Sequence, residues 1–342
     1  MKVHTPAVDH DAIARAVQVL ERGGLVALPT ETVYGLAADA TNEAAVRSIF
    51  AAKGRPADHP VIVHVADARA IDAWSRDAPP AAYALAQAFW PGPLTLVLQR
   101  SGRVSDVVTG GQDTVGLRAP GHPWAQAVLQ AFGRPVAAPS ANRFGRVSPT
   151  TADHVRADLG VKPEGAVDLI LDGGPCPVGI ESTIVDLTGD QPRLLRQGSI
   201  SRSDLERVLG RAVAAPDAAA PRVSGSLERH YAPRTPLELI AQESLADWLQ
   251  RSRAKSLAVL APPAVLAAWP GKPSPHFALA ATGSEQEYAR TLYANLRALD
   301  AAGADRIVVV APPLGERWLP IHDRLLRARA GSCTGDSTAE LD

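Results

Sequence analysis

The chain has 342 residues, more than one hydrophobic core usually serves, so two domains are expected. Hydrophobic residues make up 46% and charged ones 21%, the balance of an ordinary globular protein, and no apolar run approaches the roughly 20 residues that cross a bilayer. A net charge of −1 supplies no wide basic face for nucleic acid, and two cysteines, Cys176 and Cys333, build neither a disulfide framework nor a multi-cysteine zinc site. The first ten residues carry Lys2, His4 and Asp9 but no apolar signal core and no arginine-rich transit pattern, so a cytoplasmic location is expected, and it suits free thiols.

Asp9 to Gly24 reads as an amphipathic helix, with Ile13, Val17 and Leu20 on one face and Gly23-Gly24 as its stop. A short strand, Leu25 to Leu28, follows, and Pro29-Thr30 ends it, leaving Glu31, Thr32 and Tyr34 in a loop at the strand's C-terminal end, where function often sits. The next helix, about Asn42 to Ala52, breaks at Gly54 and Pro56, so Lys53 and Arg55 stand at its exit; Val61 to Val65 then reads as a buried strand. Helices near Ala81 to Trp90 and Pro123 to Phe132 alternate with strands near Leu94 to Leu98, Thr114 to Arg118 and Val136 to Ala138, an α/β pattern. The strands at Leu169 to Leu171, Thr183 to Asp186 and Arg193 to Arg196 are spaced too tightly for helical crossovers, which predicts a mixed sheet.

The Ala- and Pro-rich stretch from Val213 to Pro236 lacks a period and reads as a linker. The expected division is therefore a first α/β domain over 1–212, a linker over 213–236, a smaller Rossmann-like α/β domain over 237–330 and a tail over 331–342. In the second domain, strands near Leu237 to Ile240, Leu257 to Leu260 and Arg306 to Val310 alternate with helices near Ser244 to Arg251 and Glu285 to Leu299.

The phosphate-binding and dinucleotide glycine signatures, His-Glu-x-x-His and Gly-x-Ser-x-Gly are all absent from the sequence. What remains is a set of polar and cationic residues at strand ends: Thr32, Lys53, Arg55, His64, Thr114, Arg118, Ser140, Asn142 and Arg196. With no evident acid partner, a convergence of these groups predicts a polyanionic ligand. Taken singly, each has a plainer reading. Lys53 and Arg55 serve equally well as cations at a helix C-terminus, His64 as a hydrogen-bonded core histidine, Ser140 and Asn142 as caps, and Cys176 as a small buried filler.

Seven ordered strings lift the set above those readings. They are Pro-Thr-Glu-Thr-Val-Tyr-Gly-Leu at 29–36, Lys-Gly-Arg-Pro at 53–56, Pro-Gly-Pro-Leu-Thr at 91–95, Val-Gly-Leu-Arg-Ala-Pro at 115–120, Ala-Pro-Ser-Ala-Asn at 138–142, Glu-Ser-Thr-Ile-Val-Asp at 181–186 and Leu-Arg-Gln-Gly at 195–198. In these strings the chain resembles the YrdC-like domain of threonylcarbamoyl-AMP synthases, and His230-Tyr231-Ala232-Pro233 with the following domain resembles that family's two-domain branch.

The resemblance implies a YrdC-like twisted mixed sheet flanked by helices, and an enzyme that joins L-threonine, bicarbonate and ATP. Mg2+ is expected on the phosphates, and the product is expected to pass to the tRNA threonylcarbamoyl transferase machinery. By the same resemblance, Lys53, Arg55, Ser140 and Asn142 surround the ATP phosphates as the catalytic set. Thr114, Ser148, Arg196 and Tyr231 match further nucleotide positions, and Thr32, His64, Arg118, Ala138 and Ser182 match the L-threonine side. Where the family often has Asp-Asn-Pro this chain has Asp58-His59-Pro60, so His59 would contact ATP through a ring nitrogen. The linker bearing Tyr231 would serve as a cover.

Two other readings compete. An RNA-binding module has against it the near-zero net charge and 5% aromatic content. A carbamoyl-AMP-forming maturation factor of hydrogenases shares the YrdC-like domain, but such proteins usually bring cysteine-rich zinc fingers.

Overall fold

A computed structural model describes residues 5–225 and 227–332. The chain divides into two compact units, one of residues 1–144 and 148–226, the other of residues 145–147 and 227–342.

The first unit is built on a nine-stranded sheet. Its strands are β1 (Val26–Leu28), β2 (Gly35–Asp39), β3 (Val63–His64), β4 (Leu94–Gln99), β5 (Thr114–Arg118), β6 (Val136–Ala137), β7 (Leu169–Ile170), β8 (Thr183–Asp186) and β9 (Arg193–Arg196). Their spatial order is β7-β1-β2-β6-β3-β5-β4-β8-β9. The sheet is mixed: β1–β7, β3–β5 and β4–β8 are parallel, and the remaining pairs are antiparallel.

Helices cover both faces. On one, Ile13, Ala16 and Leu20 of the helix His10–Glu21 pack with Trp124, Val128 and Leu129 of the helix Pro123–Phe132. On the other, Ile49, Leu85 and Leu205 from three further helices close over Leu36, Leu94, Leu96 and Leu117. Each fully buried Leu or Ile contributes about 1.5–3 kcal/mol, so this two-sided core fixes where the strand ends lie.

Local chemistry sets the helix ends that matter to the site. Asp9 caps the first helix, its Oδ1 accepting from the N–H groups of Asp11 (2.9 Å) and Ala12 (3.2 Å). Gly54, at φ +64°, takes the left-handed conformation that stops the helix Glu43–Lys53 and turns the chain toward Arg55.

Several elements escaped the sequence reading. The strand β2, Gly-Leu-Ala-Ala-Asp, is buried at every position, and its small residues show neither alternation nor strong strand propensity. The helices Ala152–Leu159 and Arg202–Leu209 are short, and each is started by a side-chain cap, at Thr151 and Ser201. Residues 213 and 214, assigned by composition to the linker, lie along β9: the Leu194 and Ala214 backbones pair, and Val213 is buried.

The second unit carries a parallel sheet of β10 (Leu237–Ile240), β11 (Leu257–Ala261), β12 (Phe277–Ala280) and β13 (Arg306–Val310), in the order β10-β13-β11-β12. Leu245 and Leu249 pack on Val259 and Val308, and the helix Glu285–Ala301 buries Tyr288, Leu292 and Leu296. The helix Leu319–Ser332 includes Gly331 and Ser332, two residues the composition places in a tail; residues 333–342, with Cys333, lie outside the described residues. The Ala232 N–H donates to the Gly145 carbonyl (2.9 Å), and Arg297 donates to the Val147 carbonyl, which joins residues 145–147 to this unit.

Candidate active site

The strand order sets the site. Pairing of β3 with β5 puts His64 opposite Arg118, and the register that pairs Leu96 with Leu117 brings Thr95 of β4 beside Arg118. On the other side of β4, β8 begins just after Ser182, and Arg196 ends β9. Side chains far apart in the chain therefore converge in two groups.

The first group is cationic. Lys53 is 2% exposed, and its Nζ donates to the carbonyl oxygens of Ser140 (2.5 Å) and Asn142 (2.6 Å), while the Phe144 N–H donates to the Lys53 carbonyl (2.9 Å). Lys53 thus fastens the Ser140–Asn142 turn to the helix end. Burial, with the Arg55 guanidinium second, drives its ammonium well below the ordinary lysine value. Asn142 is buried, and its Nδ2 donates to the Arg143 carbonyl (2.7 Å).

Arg55 lies 5.6 Å from the centre of the Phe144 ring, and its Nη2 donates to the Pro60 carbonyl (2.8 Å) and Ser224 Oγ (3.3 Å). Burial pulls its pKa down to about 10, so it keeps its charge at neutral pH. Arg196 donates from Nε to the Ser182 carbonyl (3.0 Å), from Nη2 to Ser182 Oγ (3.0 Å) and from Nη1 to the Ser224 carbonyl (2.7 Å). Ser224 therefore joins the two arginines. His59 meets Phe144 edge-on, with ring centres 5.3 Å apart; burial, then Arg55, lowers its pKa, so the imidazole is neutral.

Beside β5 runs a narrow cleft lined by Pro60, Thr95, Thr114, Gly116, Ile184 and Ser224. Thr114, from the nucleotide set, thus faces the same space as Ser224.

The second group is balanced. Arg118 Nη2 donates to Glu31 Oε1 (2.7 Å) and its Nε to the Gly92 carbonyl (3.3 Å). The sequence reading left the site's cations without an acid partner; for Arg118 the structure corrects this, since 87 residues separate it from Glu31 and only the fold brings them together. His64 is buried, its Nδ1 has no hydrogen-bond partner among the described residues, and burial with the nearby Arg118 charge pushes its pKa down to about 3. Thr32 is buried and shares a hydrogen bond with Thr30 across their hydroxyls (2.9 Å). Ser182 Oγ lies 2.8 Å from Thr95 Oγ1, which links this group to Arg196. Ala138 is held on the sheet by its N–H bond to the Ile62 carbonyl (3.0 Å).

Ser148, from the nucleotide set, donates to Glu181 Oε1 (2.6 Å), a second buried carboxylate that sequence spacing did not single out. Gly198 allows the chain after Arg196 to approach: a Cβ there would lie 2.4 Å from the Thr183 nitrogen and 2.8 Å from the Glu181 oxygen. Cys176 is a buried free thiol whose pKa is raised by burial, matching the filler reading. Tyr231 belongs to the second unit, where its ring stacks on Tyr293 (centres 5.5 Å, 29°) and its backbone holds φ +59°.

Comparisons with known proteins agree over both units. Residues 18–198 match the Sua5/YciO/YrdC family model, described as telomere recombination, and residues 200–330 match the model of the threonylcarbamoyl-AMP synthase C-terminal domain. A threonylcarbamoyl-AMP synthase of Pyrococcus abyssi is 40% identical over 324 residues, 92% of either chain. That of Bacillus subtilis is 44% identical over 232 residues, 66% of either chain. The crystal structure of P. abyssi Sua5 complexed with L-threonine matches with a TM-score of 0.84 at 35% identity, over 96% of both chains. The chain therefore belongs to the threonylcarbamoyl-AMP synthase family.

Proposed function

We infer that this chain is an L-threonylcarbamoyladenylate synthase. It joins L-threonine, bicarbonate and ATP into threonylcarbamoyl-AMP and pyrophosphate, for the threonylcarbamoyladenosine modification of tRNA next to the anticodon. The observation that carries this reading beyond family membership is the meeting of Arg55 and Arg196 at Ser224, beside a turn that Lys53 holds by its backbone.

The reaction needs no protein nucleophile. The threonine amine forms a bond to the bicarbonate carbon with loss of water, giving an N-carboxylate. One of its oxygens then bonds to the α-phosphorus of ATP, the bond to the bridging oxygen breaks, and pyrophosphate leaves. The protein positions two anions and neutralises charge on the phosphoryl oxygens and the leaving group. Arg55 and Arg196 supply that charge, and the Ser140 and Asn142 turn lines the phosphates. Thr114, Ser148 and Tyr231 are assigned to the nucleotide by their match to family positions, and His59 by standing where the family often has an asparagine.

On the amino-acid side, Arg118 takes the threonine carboxylate. Neutral His64 contributes a hydrogen bond without a charge, and Thr32, Ser182 and the Ala138 backbone shape the rest. Magnesium enters as part of the substrate, on the triphosphate. Among the described residues no group of three or more His, Cys, Asp or Glu side chains is placed to hold an ion, so phosphate oxygens and water are its assigned ligands. No helix among the described residues is long and apolar enough to cross a membrane. We place the enzyme in the cytoplasm, handing its labile product to the tRNA threonylcarbamoyl transferase machinery.

Pyrophosphate release from ATP, measured with threonine and bicarbonate each left out in turn, tests the reading. Release should collapse in both omissions; undiminished release without threonine would reduce the protein to an ATP pyrophosphohydrolase.

A further inference from the structure

Arg118 is 4% exposed, and a guanidinium buried to that depth needs a counter-charge. Glu31, itself 8% exposed, supplies it. The carboxylate is itself held firmly. Its Oε1 accepts from Arg118 Nη2 (2.7 Å), its Oε2 accepts from the Gly121 N–H (2.8 Å), and the Glu31 backbone carbonyl accepts from the Val178 N–H (2.8 Å). Two separate segments, residues 118–121 and Val178, thus converge on one residue.

The guanidinium is held along one edge only. Nη2 is bound to Glu31 and Nε to the Gly92 carbonyl, while Nη1 donates to no protein atom among the described residues. A planar group tied at two nitrogens cannot rotate, so the direction of its third nitrogen is set.

We propose that Glu31 is a positioning residue for the amino-acid substrate: its carboxylate locks the Arg118 guanidinium so that Nη1 is presented to the substrate carboxylate. The proposal rests on the reading of Arg118 as the partner of the threonine carboxylate. It adds a consequence for charge. With Glu31 ionised, the Arg118 region is neutral before binding and accepts a zwitterion without a net change in buried charge, whereas a free cation there would favour any small anion.

The test uses the full chain and four proteins: wild type, Glu31→Gln, Arg118→Lys and the double variant. KM for L-threonine, KM for ATP and kcat are taken from pyrophosphate release, and L-threonine affinity is measured by calorimetry. Glu31→Gln keeps the shape and an acceptor for the Gly121 N–H but removes the charge; where its folded yield is low, Glu31→Asp, which keeps the charge and withdraws it by one methylene, is measured in its place. Loss of a buried charged partner predicts a rise of about tenfold or more in KM and Kd for L-threonine, with KM for ATP within about twofold. The double variant should bind L-threonine no more weakly than Arg118→Lys alone, because Glu31 acts only through Arg118.

Unchanged L-threonine affinity in the Glu31 variant, with Arg118→Lys impaired, overturns the proposal and leaves the reading of Arg118 standing. Unchanged affinity in Arg118→Lys overturns both. An equal rise in both KM values, or a fall in kcat alone in proportion to folded protein, assigns Glu31 a structural role only and also overturns the proposal.

Discussion

The two ends of the site solve the problem of buried charge differently. At the end proposed for the amino acid, the Arg118 guanidinium faces the Glu31 carboxylate at 2.7 Å, and the pair sums to zero. At the end proposed for the phosphates, Lys53 and Arg55 make no ion pair among the described residues; their hydrogens go to the carbonyls of Ser140, Asn142 and Pro60 and to Ser224 Oγ. Carbonyl and hydroxyl dipoles hold the Arg55 cation in place without cancelling its charge. On the proposed assignment of substrates, one end would meet a zwitterion and the other a polyanion, and the difference lies in what the cations are paired with rather than in how many there are.

The hardest blow to this contrast comes at the phosphate end. Arg55→Ala or Lys53→Ala should cut kcat/KM for ATP by about a hundredfold to a thousandfold, the cost of removing one preorganised charge-stabilising group. Near-wild-type rates would mean that the unpaired cations do not serve the nucleotide. Lys53→Ala should also loosen residues 140–144, visible as faster amide exchange there, because its ammonium holds two of their carbonyls.

The neutral state of His64 is the next point of attack. Its folded pKa of about 3 lies below the ordinary 6.5, so the unfolded chain binds the extra proton throughout that window. The sign follows: this contribution to stability is complete above about pH 6.5 and is lost as pH falls toward 3. Chemical denaturation at pH 7 and pH 4.5 should therefore show a larger loss for wild type than for His64→Gln. Equal losses would mean that His64 is not held neutral by its surroundings.

Ionic strength separates the two ends more gently. Raising salt to about 0.5 M should increase KM for ATP by about threefold or more and change KM for L-threonine little, since screening weakens attraction of a polyanion to a net charge more than docking of a zwitterion. Parallel shifts would erase the contrast. The smallest effect is expected from Ser224→Ala, which frees an Arg55 donor and should lower KM for ATP by no more than about threefold; a large rise would make Ser224 a nucleotide ligand.

Much of the fold was legible because its signals are local. The first helix is announced by its Asp9 cap and apolar spacing, the stop after Lys53 by Gly54, and the mixed sheet by the tight strand spacing after residue 169. The strand β2 was hidden because a central strand of small buried residues carries no alternation. The site was legible as a list, through the seven strings, but its pairings were not. Glu181 reads as an unremarked acid until Ser148, 33 residues away, is found donating to it, and Ser224 sits in a stretch whose composition says only linker.

By itself, the sequence determined the two-domain α/β plan, the family and the residue types at the strand ends, because periodicity, caps and ordered motifs act over a few residues. The tertiary structure alone decided which cations are neutralised and which keep their charge. That depends on contacts such as Arg118 with Glu31 and Arg55 with Ser224, separated by 87 and 169 residues, and made only when the strand order lays β3, β5, β4 and β8 side by side.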